Sequence, residues 1–162
     1  PMSQLMKQVK MQCLVDVKSP EEARARRGAS ALMCAISAHP RAAAHVLEDT
    51  LHALRDIVVA PGKDSAAAPL VRQQAALEVL LQAVMSARAL WAYMHKSDTQ
   101  GAAHPLAAFA REIFECVASV VLYPGGESDE SAAVMFAALN VLTELVLDEG
   151  VVDATLEAQG AS

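Results

Sequence analysis

A chain of 162 residues, 54% of them hydrophobic, carries enough apolar surface to bury a core within a single domain, which excludes a disordered segment. Aromatics make up only 4%, so the apolar fraction is Ala, Leu and Val, which suits close-packed helices and excludes a β-sandwich rich in aromatic and β-branched residues. The net charge is −6 and no basic stripe exists, so nucleic acid is excluded as the main partner.

The charge is unevenly spread. Residues 1–55 hold eight Lys/Arg against five Asp/Glu, a balance of +3, whereas residues 56–162 hold five against fourteen, a balance of −9. That asymmetry points to a basic protein partner or to head-to-tail self-association. Pro1 cannot initiate translation, so the expectation is a start at Met2 or a piece of a longer chain.

In chain order, Met2, Leu5, Met6, Val9 and Cys13 follow helical spacing, with Lys7 and Lys10 off their face, and predict an amphipathic first helix within residues 1–18. Ser19-Pro20-Glu21-Glu22 then places an N-cap, a first-position proline and a capping-box glutamate together, and starts a helix that stops before His39-Pro40. Residues 41–59 predict a third helix with Leu47, Leu51, Leu54 and Val58 on one face and His45, Glu48, Asp49, His52 and Arg55 opposite.

Ala60-Pro61-Gly62 breaks that helix, and Pro69 falls in the first turn of the next. From Leu70 no Gly or Pro occurs until Gly101, which predicts one long helix or two with a kink near Ser86. Pro105 opens a helix carrying Leu106, Phe109, Ile113, Val117 and Val120, and Tyr123-Pro124-Gly125-Gly126 ends it. Glu127-Ser128-Asp129-Glu130 supplies a cap and first-turn acids for a helix running to about Asp148. Val151 to Ala158 predicts a short, fraying C-terminal helix over residues 151–162. The longest uncharged stretches, such as Ser131 to Thr143, fall short of the ~18 residues that read as a membrane span, so none is expected.

Ala75-Ala76-Leu77-Glu78-Val79-Leu80 returns as Ala137-Ala138-Leu139-Asn140-Val141-Leu142, with a fainter echo at Ser30-Ala31-Leu32-Met33-Cys34-Ala35. Leu70-Val71-Arg72 followed by Ala75-Ala76-Leu77 resembles the second helix of a HEAT or armadillo repeat. Arg27 and Leu32 keep that spacing in the first copy, and the third copy lacks the arginine. The resemblance covers about 120 residues. It implies an all-α single domain of about seven antiparallel helices over residues 1–162, with residues 19–150 forming an α-solenoid-like, right-handed superhelix. The tetratricopeptide pattern is a weaker match, since the 34-residue period is absent. In size, helix count and Ala-rich composition the chain also resembles the membrane-anchored mitochondrial MIX-type family.

Under the repeat alignment, Glu78 and Gln82, then Asn140 and Glu144, recur at two polar positions of the inner helices, with Met33 and Ser37 in the first copy, and form a stripe that binds a protein partner. No metal, cofactor or catalytic residue is assigned. His45, Glu48, Asp49 and His52 share one helix face but match no zinc spacing, and neither a G-x-S-x-G elbow nor a Gly-rich phosphate loop occurs. Trp91-Ala92-Tyr93-Met94-His95 reads as a core anchor before a loop, with a ligand pocket as the alternative. Cys13, Cys34 and Cys116 are expected as free thiols in a reducing intracellular compartment, cytoplasmic or mitochondrial. The expected function is a non-catalytic interaction scaffold. A self-associating bundle within a larger assembly is the first alternative, and a small all-α enzyme using His45, His52 or His95 the second.

Overall fold

The computed structural model describes residues 2–17, 22–38, 42–59, 67–96, 104, 106–122, 128–148 and 151–152. It is all-α, with no strand among those residues. Six helices run as α1 (Met2–Val17), α2 (Glu22–Ser37), α3 (Ala42–Val59), α4 (Ala67–Lys96), α5 (Ala110–Leu122) and α6 (Asp129–Leu147). Val151 and Val152 are helical as well. The cap predicted at Ser19-Pro20 and the body of the C-terminal helix lie outside the described residues.

The long segment from Leu70 forms one continuous helix, with no break at Ser86. The reason is burial. Between Arg72 and Ala87 the α4 residues Ala75, Ala76, Leu77, Val79, Leu80, Ala83 and Val84 are all inaccessible or nearly so, and a helix apolar on most of its circumference is stable only inside a core. Each large side chain fully buried there contributes about 1.5–3 kcal/mol. Around α4, α2, α3 and α6 pack directly, while α1 packs on α2 and α3, and α5 on α3 and α6. Almost every packed pair is therefore a helix with its successor or with the one after it.

The α6 start follows the sequence. Ser128 is extended, with φ −75° and ψ 163°, and its hydroxyl accepts the Ser131 N–H, while Asp129 and Glu130 occupy the first turn. The segment after Pro105 differs from expectation. Residues 106–109 form a turn and α5 begins only at Ala110; the Leu106 N–H donates to the His104 ring at 3.0 Å and the Ala110 N–H to the Leu106 carbonyl at 2.8 Å. In α1 the buried face is Lys10, Cys13 and Val17 while Val9 is half exposed, so Lys10 lies on the packed face and Val9 off it, the reverse of the sequence reading. A lysine's four-carbon stem can cover apolar surface with its charge led outward.

Gly28 explains how closely α1 and α2 meet. A Cβ at this position would lie 2.7 Å from the Cys13 carbonyl oxygen and 2.8 Å from both Asp16 Cβ and Val17 N. Glycine is the residue that leaves room for that backbone approach. Arg24 closes the same pair from outside, donating to Asp16 at 2.7 Å, and its guanidinium holds the Asp16 carboxyl below the usual range.

A common burial register runs through α2, α4 and α6. The buried positions the three helices share are Ala25, Gly28, Ala29, Leu32 and Ile36 in α2, Arg72, Ala75, Ala76, Val79 and Ala83 in α4, and Val134, Ala137, Ala138, Val141 and Leu145 in α6, while the central α4 also buries Leu77, Leu80, Val84 and Ala87 and α6 also buries Ser131. Gly28-Ala29 thus stands in register with Ala75-Ala76 and Ala137-Ala138, and Leu32 with Val79 and Val141. That shifts the first copy by two residues from the alignment of Leu32 with Leu77.

Candidate functional surface

The four polar residues of the predicted stripe are all half-buried. Glu78 accepts from Gln74 Nε2 at 3.4 Å and Gln82 donates to Ser86 Oγ at 3.2 Å, so the α4 members belong to a polar ladder along their own helix. Glu144 accepts from Arg88 Nη1 at 3.0 Å and ties α6 to α4. Asn140 stands one turn before Glu144 on α6. The structure thus joins Glu144 to α4 through Arg88, and gives Glu78 and Gln82 partners within their own helix.

The motif's other positions diverge in environment. Leu77 is 0% exposed and Leu139 45% exposed, although both follow the same Ala-Ala pair. α6 carries two apolar faces. One, with Val134, Ala137, Ala138, Val141 and Leu145, enters the core; the other exposes Phe136 at 68%, Leu139 and Val146 at 63%. On α5, Phe114 is 38% exposed and Leu122 is open too. A row of exposed apolar side chains along one helix face, as on α6, marks an interaction site more often than scattered single residues do. Sequence reading missed it, because the uncharged run of α6 reads there as a repeat copy and as too short for a membrane span, not as an exposed apolar face. The available signal was an apolar period at Phe136, Leu139 and Val146 beside the core period, two stripes on one helix.

By length and composition alone, Arg72–Tyr93 and Asp129–Leu147 are long and apolar enough to cross a membrane. The first is the central α4. In the second, 33% of the window is buried inside the fold.

Titratable groups gather in two places. At the α3–α5 seam, Glu112 receives Arg55 Nη1 at 2.6 Å and has His52 Nδ1 at 3.2 Å. Cys116 lies one turn further along α5, and burial pushes its thiol up to about 12. A thiol held neutral is a poor nucleophile, His52 is largely exposed on the helix surface, and Arg55 occupies the carboxylate, so the cluster reads as a tie between helices. Cys13 is also buried, with its pKa raised by desolvation, whereas Cys34 is exposed.

The second place is a buried clasp. His104 Nε2 lies 2.8 Å from Asp148 Oδ2, with both side chains almost wholly inaccessible. Because His104 Nδ1 accepts the Leu106 N–H, a neutral ring carries its proton on Nε2 and donates it to Asp148. Asp148 Oδ1 accepts the Val151 N–H at 3.3 Å, capping the turn that follows α6. The Trp91 ring rests on His104 at 5.1 Å between centroids, tilted by 46°, so the tryptophan packs where the sequence suggested an anchor. Each polar atom of the pair has a structural partner, and the clasp fixes the start of α5 to the end of α6.

Among the described residues no group of three or more His, Cys, Asp or Glu could hold a metal ion. Glu48 is exposed, and the side chains of His45, Asp49 and His95 lie outside the described set. A shallow depression on α1, bounded by Gln4, Lys7, Gln8, Met11, Gln12 and Val15, is open and built from a single helix. No known protein family, curated protein or solved structure matches this chain.

Proposed function

We propose that this chain is a non-catalytic protein-interaction scaffold built as a HEAT- or armadillo-like stack of helical pairs. Three features support the stack: successor and next-but-one packing, direct α2–α4–α6 contact, and the burial register that recurs in those three helices. The observation that carries the function is the open apolar face of α6, with Phe114 and Leu122 exposed as well on the α5 that packs beside it. Glu78, Gln82, Asn140 and Glu144 are the polar residues proposed to take part in partner binding, and Arg88 sets the carboxylate of Glu144. Free thiols suit a reducing intracellular compartment, cytoplasmic or mitochondrial.

A photo-cross-linking residue at position 139, with a control at exposed Ala108, tests this reading in cells that express the chain. Position 139 should give a discrete polypeptide adduct that position 108 does not. Absence of any adduct at 139, or equal labelling at both positions, would overturn it. A second reading, a subunit of a membrane-associated assembly, is favoured by the apolar length of α6. Under that reading the full chain floats with phospholipid vesicles.

A further inference from the structure

We infer that the apolar α5–α6 end binds the α1–α2 end of a second copy of this chain, head to tail. The inference rests on the stacked-pair reading above and names the occupant of its open end.

The burial register supplies the geometry. Leu47, Thr50, Leu54 and Ile57 of α3 correspond to Ala110, Ile113, Val117 and Val120 of α5, all buried, which sets Leu51 opposite Phe114. In the same way Leu77 and Val84 of α4 correspond to Leu139 and Val146 of α6. Leu51, Leu77 and Val84 are buried in the pair against which α5 and α6 pack, whereas their counterparts Phe114, Leu139 and Val146 are open. The chain therefore keeps, at its last described pair, apolar side chains at positions that are buried in the preceding pair.

Charge and size select the occupant. The α1–α2 end lies in the segment of net charge +3, with Arg24 and Arg27 exposed, and the α5–α6 end lies in the segment of net charge −9, with Glu115, Asp129 and Glu130 exposed. Exposed Ala31 and Cys34 on α2, and Ala38 just after it, are small and can accept the bulky Leu139 and Val146. An isologous dimer of two α5–α6 ends would instead bring two acidic segments together, and like charges at an interface disfavour it. A head-to-tail contact is heterologous, so it continues into longer species or closes as a ring.

Sedimentation equilibrium of the purified full chain over a wide concentration range is the test. The wild type should rise above 17.1 kDa towards multiples of that mass as concentration rises, and raising the salt should weaken the association by screening. Leu139→Glu blocks one end, and the pair Arg27→Glu with Ala31→Glu blocks the other. Each variant alone should stay at monomer mass, and an equimolar mixture should give a species of twice that mass and stop there. A wild type that stays monomeric, a mixture that stays monomeric, or a dimer that survives the α2 substitutions but not Leu139→Glu would each overturn the inference. Should the α2 variant misfold by circular dichroism, Leu139→Cys decides instead. Mild oxidation should then link Cys34 of one copy to the thiol at 139 of the next, and linkage of 139 to 139 would overturn the proposal. If the chain is monomeric but position 139 cross-links a different polypeptide, the scaffold reading stands and the second copy falls.

Discussion

Truncating Leu77 and Leu139 to alanine, one at a time, is a matched experiment that the chain itself provides, because both leucines follow an Ala-Ala pair in a helix. Leu77 is wholly inaccessible at the centre of the fold, so Leu77→Ala removes its full transfer free energy and leaves a cavity that four packed helices cannot all close. The expected loss is about 2–5 kcal/mol. Leu139 keeps 45% of its surface open, so Leu139→Ala removes roughly half as much burial and encloses no cavity, with an expected loss under about 1.5 kcal/mol. Urea unfolding followed by circular dichroism measures both, at concentrations low enough that association does not contribute, and the slopes should match the wild type. Equal losses would refute the reasoning, since they would place the outward α6 face in a packed environment.

Four further outcomes follow from the packing. Gly28→Ala gains about 1 kcal/mol of helix propensity, yet it drives a methyl group into two backbone atoms of α1; the expected net loss is roughly 1–2 kcal/mol, with amide exchange accelerated in α1 ahead of the other helices. His104→Ala leaves the Asp148 carboxyl buried without its main partner and should cost roughly 3 kcal/mol, detected as a lowered melting temperature; an unchanged value would show that the clasp is dispensable. For Cys116 the folded pKa is raised above the unfolded value, so its stabilising contribution is complete below about pH 9 and is lost as pH rises towards 12. Stability should fall across that window, and less steeply in Cys116→Ala. In the same window Cys34 should react with a thiol reagent in the native state, whereas Cys13 and Cys116 should react only on unfolding.

Much of the fold was legible because helices are local. The apolar period of α3, and the Ser128 cap with Asp129 and Glu130, each state their structure within a few residues. Where reading failed, the deciding contact was long-range. The Leu106 N–H in the turn before α5 donates to His104, whose ring pairs with Asp148, 44 residues away. Lys10 turned inward because α1 meets α2 across Gly28, a contact that no window within α1 contains.

The candidate site divides in the same way. Sequence located the doubled Ala-Ala-Leu segment and a polar position after it, but the segment's own periodicity cannot say which neighbour covers a helix. By itself the sequence determined an all-α chain and the small residues through which helices approach. Only the tertiary structure decided that Leu77 is core and Leu139 surface, because burial belongs to the neighbours of a helix: α4 is packed by α2, α3 and α6, while α6 has α4 and α5 and one apolar face left open.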